Sequence, residues 1–396
     1  MSARGVETAD IAIRNGRITQ IGPDLEAEDE EIDASGLHIL PGGIDSHVHF
    51  NEPGRTEWED IAHGSAALAA GGYTAFIDMP LNNVPVTTTV EAFDLKLAAM
   101  QRSATVAYGL WGGLVPGNLD QLAPMVERGV MGFKAFMCPS GIDEFPACDE
   151  RTLREGMKRI AELDSILLVH AEDPAVLREP KGPSAHDFVE SRPPEAEVSA
   201  IARAIDLAEE AGCRLHVVHV STTRGAALLG HDVSGETCPH YMLYTEADLE
   251  RVGGAAKCAP PLRAERMPVL PIVVSDHSPS TLVLKQADDL RLVWGGISGC
   301  QSTRQLLLAQ ERLDPFTVAT VTSTGVAQRF RIQGKGDIAP GFDADLWIVD
   351  LSWEGVVRRE DLLYKNPFSA HEGQRIRGRT VRTIARGGFI RPGARS

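Results

Sequence analysis

The stretch GGIDSHVHF, residues 42–50, decides how the rest of the chain is read. It is a short apolar run ending in His47 and His49, and side chains two apart on a strand share one face. Runs of similar length recur downstream: YTAFIDMP (73–80), TVAYGLWGG (105–113), GFKAFM (132–137), SILLVHAED (165–173), RLHVVHV (214–220), VSGETCPHY (233–241), AAKCAPP (255–261) and IVVSDHS (272–278). Between many of them lie Ala/Leu/Glu-rich stretches of helical character, such as EDIAHGSAALAAGG and EVSAIARAIDLAEEAG. This alternation predicts parallel βα units. About eight units over roughly 290 residues predict an α/β fold with a TIM-type (β/α) barrel rather than an open sheet.

The polar residues favour the closed form. His47, His49, Lys134, His170, His219 and Asp276 all sit at the ends of candidate strands. In a barrel those ends open into one mouth, so residues far apart in sequence meet there. Two imidazoles on one face can chelate a cation at about 2.0–2.1 Å, although an H-x-H pair taken alone also suits a core or surface position. Lys134 is one of eight lysines in the chain and lies inside an apolar run. Burial disfavours the ammonium and lowers its pKa toward the neutral amine. Such an amine can form a Schiff base or react with carbon dioxide to give a carbamate that bridges two metal ions. The alternative is a lysine that snorkels from a strand end.

Outward from the barrel, both termini are β-rich. IAIRNGRITQIG (11–22) carries the hairpin signal Asn15-Gly16, and LHILPG (37–42) follows an acidic stretch, EAEDEEID (26–33), that reads as a solvated turn. GDIAPGFDADLWIVDL (336–351) and RIRGRTVRTIARGGFI (375–390) repeat the short-strand pattern. The expected organisation is a small β-sandwich built from 1–41 and 336–396, with the barrel, 42–335, inserted between.

Composition sets the class. The 396 residues are 43% hydrophobic and 24% charged, which excludes a disordered, collagen-like or coiled-coil chain. The net charge of −16 repels phosphate backbones, so no nucleic-acid partner is expected. No run approaches the ~18 apolar residues of a membrane span. The start, MSARGVETADIAIRNGRI, lacks the apolar run of a secretory signal. Six cysteines form no C-x-x-C pair and suit buried thiols in a reducing compartment, so a cytoplasmic location is expected.

With these motifs in place, the chain resembles the cyclic amidohydrolases, the group of dihydroorotases, hydantoinases and allantoinases. The resemblance runs from Ala9 to about Gly388. GGIDSHVHFNEPG is similar to the family's first metal motif, GFKAFM to its carbamylated-lysine strand, and LLVHAED and LHVVHVST to its later histidine strands. ETCPHY, CAPPLR and VVSDHSP resemble its closing strands. The resemblance implies two divalent ions, Zn foremost with Co, Mn or Fe as alternatives. One would take His47, His49, N6-carboxylysine at Lys134 and Asp276; the other would share the carbamate with His170 and His219. A hydroxide held between the metals would attack the cyclic amide, with Asp276 as general base and acid. The family's fold, a TIM barrel with a β-sandwich from both termini, agrees with the reading above. A homo-oligomer, commonly a tetramer, is implied as well.

One position discriminates within the family. Dihydroorotases carry an arginine for the substrate carboxylate where this chain has Asn51, and an asparagine suits amide and ureido groups better. NEPGRTEWE (51–59), DMPLN (78–82), SGIDEFP (140–146) and WGGISG (294–299) resemble the allantoinase branch. The implied substrate is allantoin, a hydantoin bearing a ureido arm, opened to allantoate in purine breakdown. Ser140, Gly141, Asn51 and His240 are the expected substrate contacts, and His240 and His277 are expected near the mouth. His38, His63, His186, His216, His231 and His371 are expected at surface or structural positions. The alternatives are a hydantoinase (dihydropyrimidinase), a dihydroorotase, or an inactive scaffold of the same fold.

Two departures from the family pattern carry structural expectations. The family opens with an extra strand before the ADIAIRNG-like one, and this chain does not have it. Only 264–271, with two prolines, separates CAPPLR from IVVSDHS, whereas a crossover needs at least ~10–12 residues. The link from Val220 to Val233 is also tight. An unpaired or badly spaced wall between strands seven and eight is therefore expected beside Asp276.

Overall fold

The computed structural model describes residues 1–2, 5–26, 30–230, 232–386 and the backbone of 388–390. His231 and the middle of the acidic 26–33 stretch lie outside the described residues.

Seven parallel strands and one irregular segment close a barrel. The strands are Gly43–Val48, Tyr73–Asp78, Ala107–Leu110 continued by Gly112–Gly113, Phe133–Phe136, Ile166–His170, Arg214–Val217 and Val233–Gly235. Each pairs in parallel with the next, as in Phe76↔Tyr108, Lys134↔Leu168 and His216↔Ser234. Residues 272–277 complete the wall through the parallel bridges Thr237↔Val273 and Val48↔His277. Most of these strand residues are fully buried, as expected where helices cover the outside and side chains fill the inside.

The wall between strands seven and eight is joined, contrary to the sequence expectation. The Thr237 N–H donates to Ile272 O at 3.2 Å and the Val274 N–H to Thr237 O at 3.1 Å. AAKCAPP is not a strand: Gly253–Ala256 is a 3-10 turn and the rest is irregular, because Pro260 and Pro261 have no N–H for a ladder. The crossover to 272–277 therefore runs over 236–271 and carries the helices Pro239–Leu243 and Glu246–Val252. VSGETCPHY likewise divides into the strand Val233–Gly235 and the start of the first of these helices. The shortness of 264–271 shows itself differently. That segment is not helical, and its Met267 and Leu270 are buried in the main core cluster. The tight Val220–Val233 link holds only the four-residue helix Thr223–Ala226.

The termini form an antiparallel sheet in the order Gly388–Ile390, Arg375–Ala385, Leu346–Val356, His38–Pro41. The hairpin Asp10–Arg14/Arg17–Gly22 turns at Asn15 (φ 52°) and Gly16 (φ 72°), the left-handed pair of a tight hairpin turn. A Cβ at Gly16 would lie 2.4 Å from Arg386 O, so the position also requires glycine for close approach. Leu40, Val273, Leu307, Val318 and Trp347 form a cluster that fastens this sheet to the barrel. Among the described residues no helix is long and apolar enough to cross a membrane.

Candidate metal centre

The first strand delivers His47 and His49 side by side, both buried, with ring centroids 5.4 Å apart. The strand end is pinned from below. Asp78 Oδ1 accepts from the Phe50 N–H at 2.7 Å, and the buried Lys96 ammonium pairs with Asp78 at 2.7 Å while donating to Phe50 O. From the last wall segment Asp276 comes within 3.2 Å of His47 Nε2 and 3.5 Å of His49 Nε2. On the facing strands His170 Nδ1 lies 3.1 Å from His219 Nε2, and the His219 ring lies 5.4 Å from that of His47. Lys134 comes from the fourth strand, fully buried, with no hydrogen-bond partner for Nζ.

These six side chains line one cavity of about 370 Å³. Ser140 and Gly141 also line it. Asn51 and His240, expected as substrate contacts, are fully buried with no partner for their side-chain polar atoms and are not among the residues lining the cavity. His277 is likewise buried; its Nδ1 accepts from the Gly299 N–H and its Nε2 lies 3.4 Å from Glu59. His216 bonds Ser234 and Glu236, His371 stacks on Tyr244, His63 pairs with Asp60, His38 is half-buried and His186 is exposed.

Electrostatics divides the donors into neutral and anionic groups. Burial lowers the pKa of His49, His170 and His219, leaving neutral imidazoles, the form that binds metals. Burial pushes the Asp276 carboxyl up, but His47 and His49 beside it outweigh that and hold it well below the usual carboxylate range. Burial brings Lys134 down to about 7, against the pull of Glu236 and Asp276. His219 (φ 38°) and Asp276 (φ 44°) both take left-handed backbone that non-glycine residues seldom adopt, and such strain collects at functional sites. Neutral imidazoles, a carboxylate and an unpartnered amine converging in one buried cavity fit a divalent metal centre. The ligand atoms of His47, His49 and Asp276 lie within 4.8 Å of one another.

Three residues of the arrangement escaped sequence reasoning. Glu172 Oε2 lies 2.7 Å from His170 Nε2, and Arg192 grips the same carboxylate, its Nε donating to Oε1 at 3.1 Å and its Nη2 to Oε2. Glu236 reaches His47 Nδ1 at 2.5 Å and His216 Nε2 at 3.1 Å. Both glutamates are fully buried. A carboxylate on the free nitrogen of a metal histidine fixes its tautomer and ring orientation. The available signal for Glu172 was its place two residues after His170 at a strand end, where side chains fall on one side. Glu236, just past the seventh strand, had no local signal.

The amidohydrolase family model matches residues 38–375. The chain is 50% identical to an allantoinase of Rubrobacter xylanophilus over 419 aligned positions, spanning 99% of this chain and 92% of the relative. It is 47% identical to an allantoinase of Solibacter usitatus, over 98% of this chain and 91% of the relative. Among solved structures, the L-hydantoinase (dihydropyrimidinase) from Arthrobacter aurescens superposes with a TM-score of 0.94 at 30% identity, over 98% of this chain and 93% of that one. The dihydropyrimidinase from Brevibacillus agri NCHU1002 gives 0.89 at 28% identity, over 98% and 92%. The alignment of 419 positions against a chain of 396 residues means that the Rubrobacter protein carries residues this chain lacks.

Proposed function

The chain belongs to the amidohydrolase family and is a hydrolase acting on cyclic amides; from that premise we propose that it opens the hydantoin ring of allantoin to give allantoate. The observation that carries the proposal is the convergence of His47, His49, Lys134, His170, His219 and Asp276 in one cavity, in a chain 50% identical to an allantoinase.

In this reading His47, His49, Asp276 and Lys134 in its carbamylated form would hold one divalent ion, and Lys134 with His170 and His219 would hold a second. The neutral Lys134 amine attacks carbon dioxide; an N–C bond forms and one proton leaves. When bound, the two ions supply Lewis acidity and bring the pKa of a water toward 7. Asp276, ionised beside His47 and His49, takes the proton of the attacking water and returns it to the departing ring nitrogen. Ser140 and Gly141 form the wall against which the ring lies. The unpartnered polar atoms of Asn51 and His240 remain the donors and acceptors offered to the ureido and amide groups of the substrate. Zinc is the first choice of metal, with cobalt, manganese or iron suited to the same donors.

The division into a sandwich of 1–41 and 336–396 and a barrel of 42–335 belongs to the same reading. So do a homotetrameric assembly and a cytoplasmic location. Light scattering of the purified protein tests the assembly.

The decisive assay compares allantoin, hydantoin and dihydroorotate with one preparation loaded with zinc and bicarbonate. Allantoin should give the highest kcat/KM, and a preference for either other ring overturns the assignment. Metal near zero in the freshly purified, active protein would overturn the metal centre. Metal-loaded protein that opens none of the rings would favour the scaffold reading.

A further inference from the structure

NEPGRTEWE, DMPLN, SGIDEFP and WGGISG are far apart in sequence, yet they come together around Arg55 beside the cavity. Its Nη1 donates to Asn82 O at 2.9 Å, and its Nη2 donates to Glu144 Oε1 at 2.9 Å. The guanidinium carbon lies 5.5 Å from the Trp58 ring centroid, and the Trp58 ring packs edge-on against Trp294 at 4.8 Å. One side chain thereby joins three loops directly and the fourth through Trp58. A planar guanidinium can donate in two directions while stacking on an aromatic face, which a lysine cannot reproduce.

The parts it joins face the cavity. Asn82, Trp294 and Gly141 line it, whereas Arg55 stands outside the lining. Asn82 is 4% exposed and sits at φ 75°, a left-handed conformation, with its side-chain amide 3.4 Å from His49 Nδ1. The Arg55 contact to the Asn82 carbonyl is thus a brace on a strained residue that lies between the histidines and the rim. Trp294 Nε1 is a buried donor with no partner in the protein. Unpartnered donors are costly and call for a ligand or water to complete them.

We infer that Arg55 is a positioning residue that fixes the rim, through Asn82, Glu144 and Trp58, so that it receives the ureido arm of the substrate. This rests on the allantoin reading above. A bare hydantoin ring presents its amide to the same catalytic groups but has no arm to reach the rim. Arg55 therefore acts on the choice between the two rings rather than on the ring-opening step.

The test is kcat/KM for allantoin and hydantoin with metal-loaded wild type, Arg55→Ala, Arg55→Lys and Glu144→Gln, at matched metal content. Hydantoin is followed as a substrate, or as a competitor of allantoin where its turnover is slow. Arg55→Ala should lower kcat/KM for allantoin by about tenfold or more, while the hydantoin constant moves by less than about threefold. Arg55→Lys should behave like the alanine variant. Glu144→Gln, at a half-exposed carboxylate, should shift the ratio in the same direction by a smaller factor. Equal losses on both substrates, or an unchanged ratio, overturn the inference. If Arg55→Ala does not fold, the ratio in Glu144→Gln decides in either direction. Failure of wild type to open allantoin removes the functional reading and this inference together, whereas wild-type turnover with unshifted variant ratios removes the inference alone.

Discussion

Glu172 and Glu236 are fully buried anions, each shared between a cavity histidine and a second donor. Burial pushes both carboxyls up, yet Arg192 beside Glu172 and His47 beside Glu236 bring each down to about 2. For Glu172, whose ordinary value is 4.5, the folded state prefers the anion, so its contribution is complete above pH 4.5 and is lost as pH falls toward 2. Glu172→Gln should therefore flatten the acid limb of a stability-versus-pH curve over that interval. It also leaves Arg192 without its partner, at a cost near the low end of the ~3–5 kcal/mol for breaking a buried pair, because Arg192 keeps some solvent. Metal affinity should fall about 10–100-fold through the loosened His170 ring. Chemical denaturation at several pH values and a metal titration check the three effects, and a Gln variant with wild-type acid sensitivity and affinity refutes them. Asp276→Asn addresses a different role: fold and part of the metal should remain while kcat drops about 10²–10⁴-fold. Near-normal turnover in that variant, once metal-loaded, would sink the general-base assignment.

At the scale of elements, the apolar runs of the sequence located seven barrel strands to within a few residues, because buried parallel strands leave near-continuous apolar runs. The six cavity side chains were legible for the same reason: a polar residue ending such a run is conspicuous. Contacts made across space were not legible. Arg192 lies twenty residues from the carboxylate it grips and Arg55 eighty-nine from Glu144, and no periodicity links them. AAKCAPP misled because its apolar content resembles a strand, while its prolines deny the hydrogen bonds a strand needs. Reading it as a strand also made the crossover appear shorter than it is. The segment 264–271 has no helix and enters the core through Met267 and Leu270. The Met267 N–H donates to Tyr241 O at 2.8 Å, and the Tyr241 hydroxyl donates to Pro260 O at 2.7 Å, so this segment ties into the preceding helix. Met267→Ala should cost about 2–5 kcal/mol of unfolding free energy, the range for emptying a packed site. A loss under ~1 kcal/mol in urea titration means that the site collapses readily.

Over the whole molecule, the terminal sheet and the barrel are held together where Arg304 lies buried between them. Its Nη1 donates to Gly72 O at 2.7 Å on the barrel side, and its Nη2 donates to Pro41 O at 3.0 Å at the edge of the sheet. The guanidinium carbon sits 4.2 Å from the Trp347 ring centroid, and a Cβ at Gly72 would lie 2.5 Å from that same ring. Among the described residues no carboxylate pairs with this cation, and burial pulls its pKa down to about 10, so at neutral pH the charge is retained and stabilised by carbonyl dipoles and aromatic faces. Removing it leaves two carbonyls with fewer donors and a cavity beneath Trp347. Arg304→Ala should lower the unfolding free energy by about 3 kcal/mol or more. Arg304→Lys should recover little of this, because one ammonium cannot donate in both directions while stacking on the indole. If the staple couples the two layers, wild type unfolds in one transition, and the alanine variant separates into a sheet transition and a barrel transition. Pulsed hydrogen–deuterium exchange along a denaturant titration follows the Leu346–Val356 strand of the sheet and the barrel strands separately. Coincident curves in Arg304→Ala, at an unchanged midpoint, would show that the clustered apolar side chains around Leu40 and Val273 suffice without the arginine.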